Sequence, residues 1–337
     1  MSRPCIVVSH KVFDGTLKQL RAVGEVVAPA DGEALSPVRL RRELARADAW
    51  LAFMPDAADD RLLAECPRLR IIAGALKGYD NFDVEACTRR GVWITVVPDL
   101  LTAPTAELTV ALMIGLGRHL VAGDRWVRSG RYRGWRPRLY GNGLAGAHVG
   151  LIGMGVIGQA VARRLQAFGV EQRYYDPQPL PNAAARALGL ARVRDRDALL
   201  RWSDYLVLAA SLTPATTHVI DAEALARIRP GCLLINPSRG SLVDEAAVLA
   251  ALKDGRLGGY AADVFEMEDW ARSERPRTIA AALRRHPATL FTPHLGSAVT
   301  TVRRAIEQRA ARSIGDALSG RVPRDAVNAV LRSMDAQ

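Results

Sequence analysis

The stretch VGLIGMGVIGQAVARRLQAFGVEQRYYD, Val149–Asp176, decides how this chain folds. An apolar strand ending at Ile152 runs into Gly153-Met154-Gly155-Val156-Ile157-Gly158, a helical run follows, and a second strand closes on Tyr174, Tyr175 and Asp176. Gly153 permits the tight turn, Gly155 lets the backbone approach a pyrophosphate, and Gly158 lets the helix pack closely on the strand. The helix N-terminus then offers free N–H groups to the phosphates. Asp176 stands 18 residues after Gly158, where a carboxylate accepts from a ribose 2′-hydroxyl and repels a 2′-phosphate. Pro177 and Gln178 supply no arginine to reverse that preference. The spacing predicts a dinucleotide-binding βαβ unit that takes NAD in preference to NADP.

Outward from that unit, short apolar runs alternate with helical patterns along the whole chain. Cys5–Ser9, Glu25–Ala28, Trp50–Met54, Leu69–Leu76 and Val92–Val97 read as strands before it. Val149–Ile152, Gln172–Asp176, Tyr205–Ala209, Cys232–Asn236, Gly259–Val264 and Thr289–Thr292 read as strands within and after it. Such alternation implies parallel sheets in an α/β fold. A long apolar helix is expected to begin near Pro104 and to run through Leu108, Leu112 and Leu116 to His119 as a bridge between two domains. Val302, Ile306, Ala310, Ile314 and Leu318 recur at four-residue steps, an amphipathic helix that returns to the first domain and makes it discontinuous. The expected division is residues 1–100 for the first part of a flavodoxin-like substrate domain, 101–295 for a Rossmann NAD-binding domain with a dimerisation arm, and 296–337 for the return.

At 337 residues and 49% apolar content the chain can fill two cores. It has no apolar run of membrane-spanning length, and its N-terminus leads straight into a strand, so a soluble cytoplasmic protein is expected. Cys5, Cys66, Cys87 and Cys232 lack metal-ligand spacing and sit among apolar neighbours, which favours buried thiols and no metal. The net charge of +11 comes without a basic tail or basic-aromatic alternation, which favours a solvated basic surface over nucleic-acid binding. Forty-two of the 46 basic residues are arginine, so a retained lysine such as Lys77 points to a need for a compact ammonium.

Three polar residues fall just past expected strand ends: Arg239 in Asn236-Pro237-Ser238-Arg239-Gly240, Glu268 after Asp263-Val264-Phe265-Glu266-Met267, and His294 in Thr292-Pro293-His294-Leu295-Gly296. In open α/β sheets the ligand crevice lies outside the carboxyl ends of the strands. Arg239 can clamp an anion, His294 can move a proton, and Glu268 can orient the imidazole.

With these motifs the chain resembles the NAD-dependent D-2-hydroxyacid dehydrogenase family over nearly its whole length. The resemblance implies that Arg239, Glu268 and His294 are catalytic, with Glu266 structural. It implies a cofactor site formed by Lys77, Thr105, Gly153, Met154, Gly155, Val156, Ile157, Gly158, Asp176, Ala209, Ala210, Ser211, Pro237, Ser238, Arg239, Asp263 and His294. Ala210 and Ser211 depart from the proline that the family commonly carries before Leu-Thr. The substrate loop departs as well: the family's Gly-x-Asp-Asn-Ile-Asp is here Ala75-Leu76-Lys77-Gly78-Tyr79-Asp80-Asn81-Phe82-Asp83. With Phe53-Met54-Pro55-Asp56, Pro98–Leu101, Gly134-Trp135-Arg136-Pro137, Leu139-Tyr140-Gly141 and Phe265–Trp270, this loop is similar to that of the phosphite-oxidising members of the family. That likeness implies a small anionic substrate, phosphite, held by Lys77, Gly78, Met54, Trp135, Tyr140, Ser297 and Arg303. Phosphite near neutral pH is largely a dianion, and a second charge left unpaired in a closed pocket costs on the order of 3 to 5 kcal/mol, which Lys77 can offset.

Two other readings share the cofactor motif. One is a D-2-hydroxyacid dehydrogenase or glyoxylate/hydroxypyruvate reductase, separated only by the pocket; the other is an NAD-sensing interaction protein, against which the intact Arg239, Glu268 and His294 stand. The apolar, Trp- and Arg-rich segment from Leu101 to Tyr140 exposes more apolar surface than one sheet edge covers, so a homodimer through it is expected, with no nucleic-acid or membrane partner.

Overall fold

The computed structural model describes residues 3–330 as two compact units. One comprises the chain up to Leu101, the short piece Trp270–Ser273 and the chain from Ala298 onward; the other comprises Thr102–Asp269 and Glu274–Ser297.

The first unit is built on β1 (Cys5–Val8), β2 (Glu25–Val27), β3 (Ala49–Ala52), β4 (Ile71–Gly74) and β5 (Trp93–Thr95), all parallel, in the order β2-β1-β3-β4-β5. The sequences CIVV, AWLA and IIAG are buried throughout, as expected of central strands covered on both faces. Local chemistry fixes the connecting helices: Ser36 accepts from the Arg39 amide ahead of Pro37–Leu44, and Asp83 accepts from the Ala86 amide ahead of Val84–Arg89. The helix Thr300–Leu318 buries Ile306, Ala310, Ala311, Ile314 and Ala317 in this unit, so its four-residue pattern forms the returning element. Glu307 on its buried face accepts from the Phe13 amide at 3.0 Å and the Thr16 hydroxyl at 3.1 Å.

The second unit holds β6 (His148–Ile152), β7 (Glu171–Tyr175), β8 (Leu190–Arg192), β9 (Tyr205–Leu208), β10 (Cys232–Asn236), β11 (Leu257–Ala262) and β12 (Thr289–Phe291). Their order is β12-β11-β10-β9-β6-β7-β8, again all parallel. The connections leave β6 and β9 toward opposite sides, which makes their carboxyl ends the topological switch point. Strand β8 has no counterpart among the expected strands. Its three residues, Leu-Ala-Arg, carry one buried side chain, too few for an alternation to register.

The long helix differs from expectation at both ends. It spans Thr102–Gly117, placing Pro104 in its first turn, and a second helix follows at Leu120–Arg128 after a 63° bend. Gly117 lies so close to Tyr205 that a Cβ there would stand 2.3 Å from the phenol oxygen, and His119 takes the left-handed conformation (φ 52°). The helix belongs to the second unit and is largely buried there. Among the described residues no single helix is long and apolar enough to cross a membrane.

One buried carboxyl in the first unit has a measurable consequence. Asp56 accepts from the Phe53 amide at 2.7 Å and from the Ser9 hydroxyl, and burial pushes it from 3.8 up to about 6. Because the folded-state value is raised, the stability this group contributes is full below its unfolded value and is lost as pH rises through about 6. Asp56→Asn keeps an acceptor for both donors and removes that loss. Relative to the wild type, the variant is expected to gain on the order of 2 to 3 kcal/mol in denaturant-derived stability between about pH 4 and about pH 7; a difference that stays flat over this range contradicts the account.

Candidate active site

The glycine loop sits at the switch point. Gly153, at φ +94°, approaches the chain leaving β9 so closely that a Cβ would fall 2.5 Å from the Ala210 nitrogen and 2.6 Å from the Ala209 carbonyl carbon. A Cβ on Gly158 would lie 2.4 Å from the Gly153 carbonyl oxygen, so the helix Val156–Leu165 can start this near the strand only with glycine there. At Gly155 a Cβ would meet nothing within 4 Å, leaving open space beside the first turn of that helix. This is the cradle a pyrophosphate requires, and the residues present fit a dinucleotide. Asp176 has its Oδ2 accepting from the Met154 amide at 2.7 Å and its Oδ1 from the Gln178 amide at 2.8 Å, which fixes the carboxylate at the end of β7. Val156 and Ile157 open the helix beside it, while Met154 is buried.

Ala209, Ala210 and Ser211 leave β9 next to this loop. Ser238, after β10, donates to the Leu208 carbonyl at 2.9 Å and so ties the Pro237-Ser238-Arg239 turn to the end of β9. Asn236 donates to the Arg239 carbonyl at 2.8 Å and closes that turn. Arg239 itself is half-buried, with one guanidinium nitrogen donating to the Ser238 carbonyl at 2.9 Å.

His294 and Glu268 meet as their spacing implied. Nδ1 of His294 lies 2.7 Å from Glu268 Oε2, and Glu268 Oε1 accepts from the Phe265 amide at 2.9 Å. With Nδ1 engaged, Nε2 is the ring nitrogen available for proton exchange. His294 adopts φ 57°, a left-handed conformation unusual for a residue with a Cβ. Its amide donates to the Asp263 carbonyl at 2.8 Å, and the Asp263 carboxylate takes the amides of Leu295 at 2.7 Å and Gly296 at 2.8 Å and the Thr292 hydroxyl at 2.5 Å. Asp263, expected to touch the cofactor, is 1% exposed, and both its oxygens anchor the loop that carries His294. Burial raises its proton affinity, and these donors oppose the rise. Thr105 packs on the same loop, 3.2 Å from where a Gly296 Cβ would stand, and Ser297 follows, buried.

Trp135 and Tyr140 are each 74% exposed on the segment between Arg128 and His148, which holds neither helix nor strand. They were expected to line the substrate site, but within a single chain this exposure places neither in a closed pocket. A further residue at the cofactor end was not legible in sequence: Arg192, from β8, donates to the carbonyls of Asp176 at 3.0 Å and Pro177 at 3.2 Å. The signal was absent because the contact is made across strands rather than along the chain.

In the first unit, Met54 follows β3, and Lys77 and Gly78 follow β4, at the carboxyl edge of the sheet. The Lys77 ammonium is buried and has no hydrogen-bond partner among the described residues. Burial lowers its proton affinity, with the Asp99 charge partly opposing. Arg303, on the helix Thr300–Leu318, donates to the Ala75 carbonyl at 3.0 Å, just ahead of Lys77, and stands 5.6 Å over the Phe53 ring. Among the described residues no group of three or more His, Cys, Asp or Glu side chains is placed to hold a metal ion.

The comparisons with known proteins agree with this geometry. Residues 110–296 match the D-isomer specific 2-hydroxyacid dehydrogenase, NAD binding domain. Over 331 residues, 97% of this chain and 96% of the relative, the sequence is 34% identical to a glyoxylate reductase of Pyrococcus furiosus. A crystal structure of a Thermus thermophilus protein superposes with a TM-score of 0.85 at 33% identity, covering 96% of this chain and all of that one. An NADPH-dependent glyoxylate/hydroxypyruvate reductase of Sinorhizobium meliloti, solved with NADP and malonate, superposes with a TM-score of 0.83 at 30% identity and 97% coverage of both chains. The switch-point glycine loop, the Glu268–His294 pair and the two-unit architecture therefore have one common explanation: the chain belongs to the D-isomer-specific 2-hydroxyacid dehydrogenase family of NAD-dependent oxidoreductases.

Proposed function

We propose that this dehydrogenase oxidises phosphite to phosphate. The observation that carries the reading is Lys77, a buried ammonium without a hydrogen-bond partner among the described residues, directly ahead of the loop Gly78–Asp83. A buried charge left unpaired is costly, on the order of several kcal/mol, so a cation kept in that state is a candidate to be neutralised by an anionic substrate. Phosphite near neutral pH carries largely two negative charges, one more than Arg239 by itself offsets. An oxygen–phosphorus bond forms from water, His294 accepts the water proton, and Glu268 holds the imidazole in register. NAD⁺, when bound, accepts the hydride released as the phosphorus–hydrogen bond breaks. Because nucleophile and leaving hydride are both small, orientation of the bound anion supplies much of the rate.

The second reading is a glyoxylate or hydroxypyruvate reductase, favoured by the names of the full-length relatives. There Arg239 clamps the single carboxylate, His294 delivers the proton to the carbonyl oxygen, and Lys77 has no assigned charge to meet. We further infer a cytoplasmic homodimer. Four buried free thiols suit a reducing compartment, and Leu120, Val121, Val127, Tyr132, Trp135, Leu139 and Tyr140 expose apolar surface, Val121 also lining a groove of about 900 Å³ with Gly115, Phe265 and Leu290.

Purified protein assayed with NAD⁺ and phosphite, D-lactate, D-glycerate or 3-phosphoglycerate, and with NADH and glyoxylate or hydroxypyruvate, separates the two readings. Phosphite is expected to give the highest kcat/KM, and Lys77→Ala to raise its KM at least about tenfold, the loss of roughly 1.4 kcal/mol of binding. A hydroxyacid or oxoacid turned over with higher kcat/KM returns the chain to the general dehydrogenase reading. For the cofactor, NAD⁺ is expected to exceed NADP⁺ in kcat/KM, and Asp176→Ala combined with Pro177→Arg to narrow the gap; equal values in the wild type remove the role given to Asp176. Light scattering at micromolar concentration is expected to give the mass of a dimer, and a monomer there rejects the interface.

A further inference from the structure

Arg239 and Glu268 stand on two separate turns, after β10 and β11, and a third segment joins them. His218 donates its backbone N–H to the Ser241 carbonyl at 2.7 Å, two residues beyond Arg239. Its imidazole Nε2 lies 2.6 Å from Glu266 Oε1, two residues before Glu268 on the short turn Glu266–Glu268. The two turns also touch directly. A Cβ on Gly240 would stand 1.8 Å from the Phe265 carbonyl carbon, and the Ser241 amide donates to Asp269 Oδ2 at 2.6 Å. The segment behind His218 continues the clasp, with Ile220 donating to the Leu242 carbonyl at 3.0 Å and accepting from the Asp244 amide at 3.0 Å.

We propose that His218 is a positioning residue, which holds the turn bearing Glu268 in register with the turn bearing Arg239. The inference rests on the roles given to Arg239, Glu268 and His294 above. His218 spends a left-handed backbone conformation, φ 51°, on directing its backbone to one turn and its ring to the other. The ring meets a crowded group of carboxylates. Glu266 and Glu245 exchange amide-to-carboxylate bonds, 2.9 Å from the Glu266 amide and 3.3 Å from the Glu245 amide, and Asp269 is buried beside them. Burial pushes Glu245 up to about 7, with Glu266, Asp269 and Glu268 adding to the rise. Arg275 Nε donates to the Met267 carbonyl of the same turn at 3.1 Å. Removing the imidazole removes the bond that ties the His218 segment to Glu266, and the turn relaxes by moving. Because Glu268 rides on that turn, its hold on His294 moves with it.

The test compares His218→Ala with His218→Gln, whose terminal amide reaches as far as Nε2 and donates to Glu266. With the substrate that the wild type turns over, His218→Ala is expected to lower kcat by roughly ten- to a hundredfold, the cost of a displacement of about 1 Å at a reacting group. KM for NAD⁺ and Tm are expected to stay near wild type, and His218→Gln to recover kcat to within a few-fold. Hydrogen exchange supplies a readout without turnover: amides of residues 265–269 are expected to exchange faster in His218→Ala and at the wild-type rate in His218→Gln. Wild-type kcat or unchanged exchange in His218→Ala overturns the proposal, as does a His218→Gln variant impaired as severely as His218→Ala. A collapse of Tm and cofactor binding in His218→Ala also overturns it, because the residue then serves folding at large. Arg239→Ala and His294→Ala report separately on the underlying roles: wild-type turnover in either removes that role, whatever the His218 variants do.

Discussion

The divergence of the chain at the carboxyl ends of β6 and β9 is the constraint on which the second unit depends. Neighbouring parallel strands whose connections leave in opposite directions open a crevice, and only there can a helix begin against a ligand instead of against another loop. The crevice is narrow because Gly153 lies against the backbone of Ala209 and Ala210, and Gly158 lies against Gly153. Both contacts are backbone to backbone, so neither can be relieved by a side-chain rotation. Once the loop is fixed, the ends of β10, β11 and β12 follow in order on the same sheet edge, and with them Arg239, Glu268 and His294.

A histidine held in a left-handed conformation, as His294 is, needs its surroundings to over-determine it. Asp263 does this with one carboxylate that collects two amides and a hydroxyl from the loop around His294, while the Asp263 carbonyl takes the His294 amide. Burying an acid costs free energy unless its oxygens are satisfied, and here satisfying them is the same act as shaping the loop. Asp56 applies the same chemistry to the loop carrying Met54 in the first unit, with the Phe53 amide and the Ser9 hydroxyl as donors. In both units a buried carboxylate just beyond the strand ends converts desolvation into loop geometry.

Lys77 inverts this pattern. It is a buried ammonium with no hydrogen-bond partner among the described residues, in a chain that otherwise places arginine at nearly every basic position. Arginine spreads its charge over a planar fork suited to a carboxylate, whereas an ammonium concentrates it and tolerates burial through its shifted proton affinity. Arg303, bonded to the Ala75 carbonyl, ends close to the same loop and helps set its backbone.

The α/β class, the sheet-forming runs, the glycine loop with Asp176, and the Glu268–His294 pair were legible in the sequence because each is encoded by residues close together or by a motif at a strand end. Apolar runs long enough to cross a buried sheet report themselves, as CIVV and IIAG do. The tertiary structure alone decided what depends on segments far apart in the chain: the edge strand Leu190–Arg192 with its arginine at Asp176, the break of the long helix where Gly117 meets Tyr205, and the clasp of His218 on Glu266. It also decided that Asp263 anchors a loop while Trp135 and Tyr140 stand exposed. The physical reason is that residue type fixes what a side chain can bond to, while burial and partner depend on which other strand or turn the fold brings within about 3 Å.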